Sequence, residues 1–128
     1  MITAKEYTAR RRELMSTMQC NSIAIVAAAA EKIRSRDTHY PYKQSTNLSY
    51  LCGFSEPESV LVLIPGRDQG EAILFCREKD KLRETWDGYR VGPEDAVTEF
   101  SLDDAFPIGD LDDILPGLLE GKERVYYA

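Results

Sequence analysis

"ESVLVLIPGRDQGEAILFC", residues 58–76, decides how the rest of the chain is read. It holds two short apolar runs, 60–64 and 72–76, joined by "PGRDQG". A proline and two glycines within that joint mark a tight reversal, so the two runs read as neighbouring strands of a hairpin. Both runs are apolar on consecutive residues rather than on alternate ones. Strands of that kind are covered on both faces, which here requires helices on either side. The fold class is therefore α/β: a mixed β-sheet flanked by helices on both faces.

The remaining elements are read outward from that hairpin. "SIAIVAAAA", 22–30, is a continuous apolar run with β-branched residues at its start and reads as a strand. Residues 48–53, "LSYLCG", read as a second strand, and "ERVYYA", 123–128, as the beginning of a fifth. The chain stops inside that last strand without a polar tail, as a fragment would. Thr3-x-x-Glu6 forms a capping box, with Ile2 and Tyr7 placed as a hydrophobic staple. Tyr7, Leu14, Met15 and Met18 then share one side of a helix reaching about residue 18. Asp80 opens a helix over 80–87, and Pro93, following Gly92, opens one over 93–99. A further helix starts at Asp110, with Leu111, Ile114, Leu115, Leu118 and Leu119 on one stripe. Pro116 is expected to kink or shorten it.

At 128 residues the chain fits a single domain, 1–128, and its 43% apolar and 30% charged content is that of a globular protein. Sixteen basic residues against twenty-two acidic give a net charge of −6, which argues against a nucleic-acid or anionic-membrane partner. The one basic cluster, "ARRRE" at 9–13, lies in a helical pattern and reads as a solvated face rather than a phosphate site. No apolar run approaches the roughly 18 residues that span a bilayer, and the N-terminus has no apolar signal core. Three cysteines, Cys20, Cys52 and Cys76, form no CxxC pair and read as reduced thiols in a cytoplasmic protein.

Candidate chemistry is sparse. A metal centre needs roughly three or four convergent ligands, and one histidine with scattered carboxylates has no such spacing. Asp103-Asp104 and Asp112-Asp113 sit where helix starts want negative charge. A Cys52–His39 nucleophile pair fails because a thiol inside an apolar strand is buried and inert. Asp37, Glu56 and Glu58 offer carboxylates for acid–base work, although loop solvation and turn capping account for them equally. Tyr40, Tyr42 and Tyr50 with Gln44 and Asn47 suit either an interface or the rim of a core. Trp86 poses the same choice between core anchor and contact surface.

At these residues the chain closely resembles the N-terminal domain of the aminopeptidase P (Xaa-Pro aminopeptidase) family. The resemblance rests on "RSRDTHYPYKQSTNLSYLCGFSEPESVLVL", 34–63, and "REKDKLRETWDGYRVGPEDA", 77–96, with "EYTARRRELMSTM" before them and "VYYA" after. Several spaced motifs in order cover nearly the whole chain. Lys43 stands where the family commonly has arginine, and Cys52 where it often has threonine.

The resemblance implies a ribonuclease-H-like α/β unit joined to a C-terminal catalytic domain of the pita-bread fold, which is absent from this chain. That absent domain would carry two manganese ions, so no catalytic residue and no metal ligand is expected here. The implied parent is a cytoplasmic metallo-aminopeptidase, a dimer or tetramer, acting on proline-containing peptides. The implied role of this domain is to build the oligomer and cover an active site. Carried over by position, Trp86 matches a tryptophan that reaches toward that site, and Arg90 lies beside it. Asp37 and Tyr40 match the opening pair of the first motif, where they either face the cleft or brace its loop. Two rival readings are a standalone binding or assembly module reusing the fold, and the N-terminal domain of a prolidase or creatinase-like relative.

Overall fold

A computed structural model describes residues 2–29, 33–35, 38–39 and 44–128, the two short pieces by backbone alone. Its main sheet has five strands: β1 (Ser22–Ala27), β4 (Val60–Leu63), β5 (Ala72–Cys76), β6 (Asp104–Pro107) and β7 (Arg124–Tyr127). They lie in the order β6-β5-β4-β1-β7. The three middle strands are antiparallel, while each edge strand runs parallel to its neighbour, so the sheet is mixed as expected. β2 (Ile33–Ser35) and β3 (Thr38–His39) form a separate antiparallel pair that the sequence reading did not anticipate.

The double-sided burial inferred from consecutive apolar residues is present. Every residue of β5 is buried. Leu61 and Leu63 of β4 face a cluster with Met15, Leu48, Phe54 and Leu74. Val62 and Ile64 turn the other way, toward Ile23, Ile73 and Phe75. The helices α1 (Ala4–Thr17), α2 (Thr46–Cys52) and α4 (Pro93–Glu99) supply the first layer, and α5 (Leu111–Leu119) covers the second with the predicted leucine stripe. α5 continues past Pro116 to Leu119, so the proline does not stop it at once.

Residues 48–53 are not a strand. They belong to α2, whose start is capped by the Ser45 hydroxyl accepting from Leu48 N at 3.2 Å. Leu48, Leu51 and Cys52 are its buried residues, an i, i+3, i+4 pattern that suits a helix better than a pleat. Gly53 closes it in the left-handed region (φ 74°), with the Tyr7 ring so close that an added Cβ would lie 2.6 Å from Cζ. The sheet's fifth strand is instead β6, which the sequence reading does not assign.

The acidic pair Asp103-Asp104 also departs from expectation. Asp103 stands before a strand, where its Oδ2 accepts from Glu71 N and Ala72 N at 3.0 and 2.9 Å and docks β6 against β5. Asp112 and Asp113 do occupy the first turn of α5.

The "ARRRE" cluster is not a uniformly solvated face. Thr3 caps α1 as predicted, while Glu6 turns to Arg10 one turn on. Arg11 is only 2% exposed. Its position is four residues from both Tyr7 and Met15, which puts it on the buried stripe. Its Nη1 donates to Leu51 O at 2.9 Å, and its Nη2 to Ser101 O at 2.8 Å and Thr8 Oγ1 at 3.3 Å. One guanidinium thus satisfies carbonyls at the end of α2 and after α4. Burial lowers its pKa, against the raising influence of Cys52 and Asp103. Arg11→Met keeps the stem but orphans both carbonyls, and is expected to lower unfolding free energy by about 2–4 kcal/mol in urea denaturation.

Candidate functional site

The most exposed large apolar side chain among the described residues, Trp86, lies where the chain leaves β5. Glu56 forms the base of this region and is 9% exposed. Its Oε1 pairs with Arg77 Nη2 at 3.3 Å, and its Oε2 accepts from Val91 N at 2.8 Å. Glu56 is therefore an internal bracket, and neither solvated loop nor turn cap describes it. It holds together the two ends of the excursion 77–91. Gln44, grouped by sequence with the aromatic interface residues, likewise proves to be a backbone brace. Its Nε2 donates to Phe54 O and Glu56 O, and its Oε1 accepts from Ala29 N and Ser45 N.

Within the excursion lies α3 (Lys81–Asp87). Asp80 caps it as predicted, accepting from Leu82 N and Arg83 N, each at 3.1 Å. Gly88, at φ 94°, ends it. Trp86 is 83% exposed, and Leu82 and Tyr89 are exposed with it. This removes the core-anchor reading of Trp86 and leaves the contact-surface one. Arg90 lies at the base instead, its Nη1 donating to Glu78 O at 3.3 Å. Trp86 and Arg90 thus share one excursion but occupy its outer and inner parts. Asp37 and Tyr40, the other two expected contact residues, lie outside the described residues, as does Tyr42. Leu82 and Tyr89, exposed beside Trp86, were not singled out in the sequence. The i, i+4 spacing of Leu82 and Trp86 was the available signal for Leu82, while Tyr89 follows Gly88 outside the helix.

A groove of about 490 Å³ lies between α1, α2, β1 and β7. Leu14, Met18, Ile25, Tyr50 and Tyr126 line it, with Arg10 at its edge. The Arg10 guanidinium sits 4.3 Å from the centroid of the exposed Tyr50 ring.

No three His, Cys, Asp or Glu side chains converge among the described residues, so the donor set does not fit a metal ion. Cys52 is buried in α2, not in a strand, and its thiol is pushed up to about 11. Burial is the main cause, opposed by the Phe54 backbone N–H and Arg11. Cys76 is pushed up to about 12 by burial and the nearby Glu56. Neither is a thiolate at neutral pH, as expected of inert cysteines. Cys20 is exposed. No helix among the described residues is long and apolar enough to cross a membrane.

The family profile described as "Aminopeptidase P, N-terminal domain" matches residues 7–126. The chain belongs to the aminopeptidase P N-terminal domain family. It is 39% identical to the Xaa-Pro aminopeptidase of Escherichia coli (strain K12) over 99% of its own length and 29% of that protein. It is 34% identical to human Xaa-Pro aminopeptidase 3 over 95% of its length and 26% of that protein. Among solved structures, Pseudomonas aeruginosa aminopeptidase PepP superposes with a TM-score of 0.97 at 57% identity, covering 99% of this chain and 29% of that one. Escherichia coli aminopeptidase P with the inhibitor Pro-Leu gives 0.93 at 39% identity, with the same coverages. The chain thus spans less than a third of the length of these relatives.

The buried thiols of this aminopeptidase P domain set an alkaline limit on its stability. Up to about pH 9, the ordinary thiol value, folded and unfolded chains both keep Cys52 protonated and the full stability is present. Above it the unfolded chain loses the proton first, so stability falls until the folded thiol ionises near 11. Urea titrations from pH 8 to pH 11 are expected to show Cys52→Ala with a shallower alkaline decline than wild type, by on the order of 2 kcal/mol over about that interval.

Proposed function

We propose that this chain is the non-catalytic N-terminal domain, residues 1–128, of a Xaa-Pro aminopeptidase, which removes an N-terminal residue preceding proline. The reading is carried by one observation: a family-matched domain presents Trp86, 83% exposed, on a helix that stands off its body. An indole left in water on a soluble domain is suited to burial against a partner surface. Here that surface is a C-terminal catalytic domain, of its own subunit or of a neighbour in a homo-oligomer.

In this reading Trp86, with Leu82 and Tyr89 around it, forms a wall of the channel that receives proline-containing peptides. Such a wall excludes water and bulky side chains and positions the peptide, while bond cleavage takes place on the other domain. A two-manganese centre in that domain would supply activated water, and this chain contributes no ligand to it. The setting is the cytoplasm, in keeping with three unpaired cysteines.

Hydrolysis of Xaa-Pro peptides, with manganese added, separates the possibilities when assayed for the 128-residue chain and for the full-length product of its reading frame. Activity is expected in the longer protein alone. There Trp86→Ala should lower kcat/KM by about 10- to 100-fold. Turnover by the 128-residue chain, persisting through further purification, would falsify the framing role.

A further inference from the structure

The direction in which Trp86 points has to be set from within the excursion, because α3 offers almost nothing to the body. Of its side chains from Lys81 to Trp86, Glu84 alone is partly shielded. Glu84 Oε1 accepts from Arg90 N at 3.0 Å and from Lys79 Nζ at 2.9 Å. Lys79 Nζ also donates to Arg90 O at 2.6 Å and sits 3.8 Å from the centroid of the Tyr89 ring. One carboxylate and one ammonium therefore join the segment entering α3 to the segment leaving it. Two residues along a helix correspond to a turn of about 200°, so Glu84 and Trp86 lie on nearly opposite sides. Drawing Glu84 inward turns the indole outward.

We propose that Glu84 and Lys79 are positioning residues for Trp86. The clasp they make with Arg90 fixes the direction in which the indole projects into the peptide channel. This rests on the covering role of Trp86 proposed above. The clasp is a charged one: Arg90 N–H and then Lys79 hold the Glu84 carboxyl below the usual carboxylate range, and Glu84 holds Lys79 above its ordinary value. A Cβ on Gly92 would approach Lys79 Cβ to 3.2 Å, so the two segments are already closely packed at this point.

The test is steady-state hydrolysis of an Xaa-Pro peptide by the full-length protein. It compares wild type, Trp86→Ala, Glu84→Ala and the double variant, with folding checked by circular dichroism and Tm. Lys79→Met breaks the same clasp from outside α3 and serves where Glu84→Ala does not fold. Glu84→Ala and Lys79→Met are each expected to lower kcat/KM by about tenfold, chiefly through KM, because a displaced wall misplaces the peptide. Lys79→Arg should recover most of the loss, and the double variant should be no worse than Trp86→Ala alone. Wild-type kinetics in Glu84→Ala and Lys79→Met, beside a clear loss in Trp86→Ala, overturn the clasp but leave the covering role standing. Losses that multiply in the double variant overturn it too, since Glu84 would then act independently of the indole. Wild-type kinetics in Trp86→Ala overturn the covering role, and this inference with it.

Discussion

A carboxylate shut away from water has to be satisfied on every side, and that of Glu56 is satisfied by two separate stretches of the chain, with a third on its backbone. Its side chain binds Arg77 at the end of β5 and Val91 N beyond α3, while its backbone carbonyl accepts from Gln44. Removing Arg77 would leave the buried Glu56 carboxylate without its counter-charge, a penalty of several kcal/mol. That constraint closes the 77–91 excursion at its root. α3 can then stand in solvent without being a loose loop. The hairpin β4–β5 supplies the rigid platform beneath, since every residue of β5 is buried between two helical layers.

On this platform the molecule separates two tasks. The interior is stapled by polar groups where backbone would otherwise go unpaired: Arg11 at the end of α2, Gln44 between β1 and α2, Asp103 at the start of β5. The stretch 82–89 does the opposite and leaves large apolar groups in solvent. Leu82, Trp86 and Tyr89 lie within eight residues of one another and are all exposed. Burying them against a partner would recover much of the free energy their exposure withholds, on the order of 2 kcal/mol for each large side chain.

Much of this was legible in the chain because it depends on neighbours in sequence. Thr3, Asp80 and Gly92-Pro93 announce helix starts through hydrogen bonds and φ values that are local. The apolar runs at 60–64 and 72–76 announce buried strands. Residues 48–53 misled because a short apolar run fits strand or helix equally, and the arbitrating signals, Ser45 and Gly53, lay at its borders. Arg11 misled for another reason. Charge places an arginine in solvent by default, and only the carbonyls of Leu51 and Ser101, 40 and 90 residues away, draw it inside.

The candidate site divides along the same line. Trp86 stands out in the sequence through its motif, and its i, i+4 spacing from Leu82 places those two on one stripe of α3. Whether that stripe met the core or the solvent was not written locally. It was decided by Glu56, Glu84 and Lys79, whose partners assemble only when β5, α3 and the segment after it come together. Sequence by itself determined which segments would be strands or helices wherever cap, turn and period lie within a few residues. Tertiary structure decided which polar groups go inside and which apolar groups stay out, because a buried charge is tolerated only beside partners that distant parts of the chain bring to it.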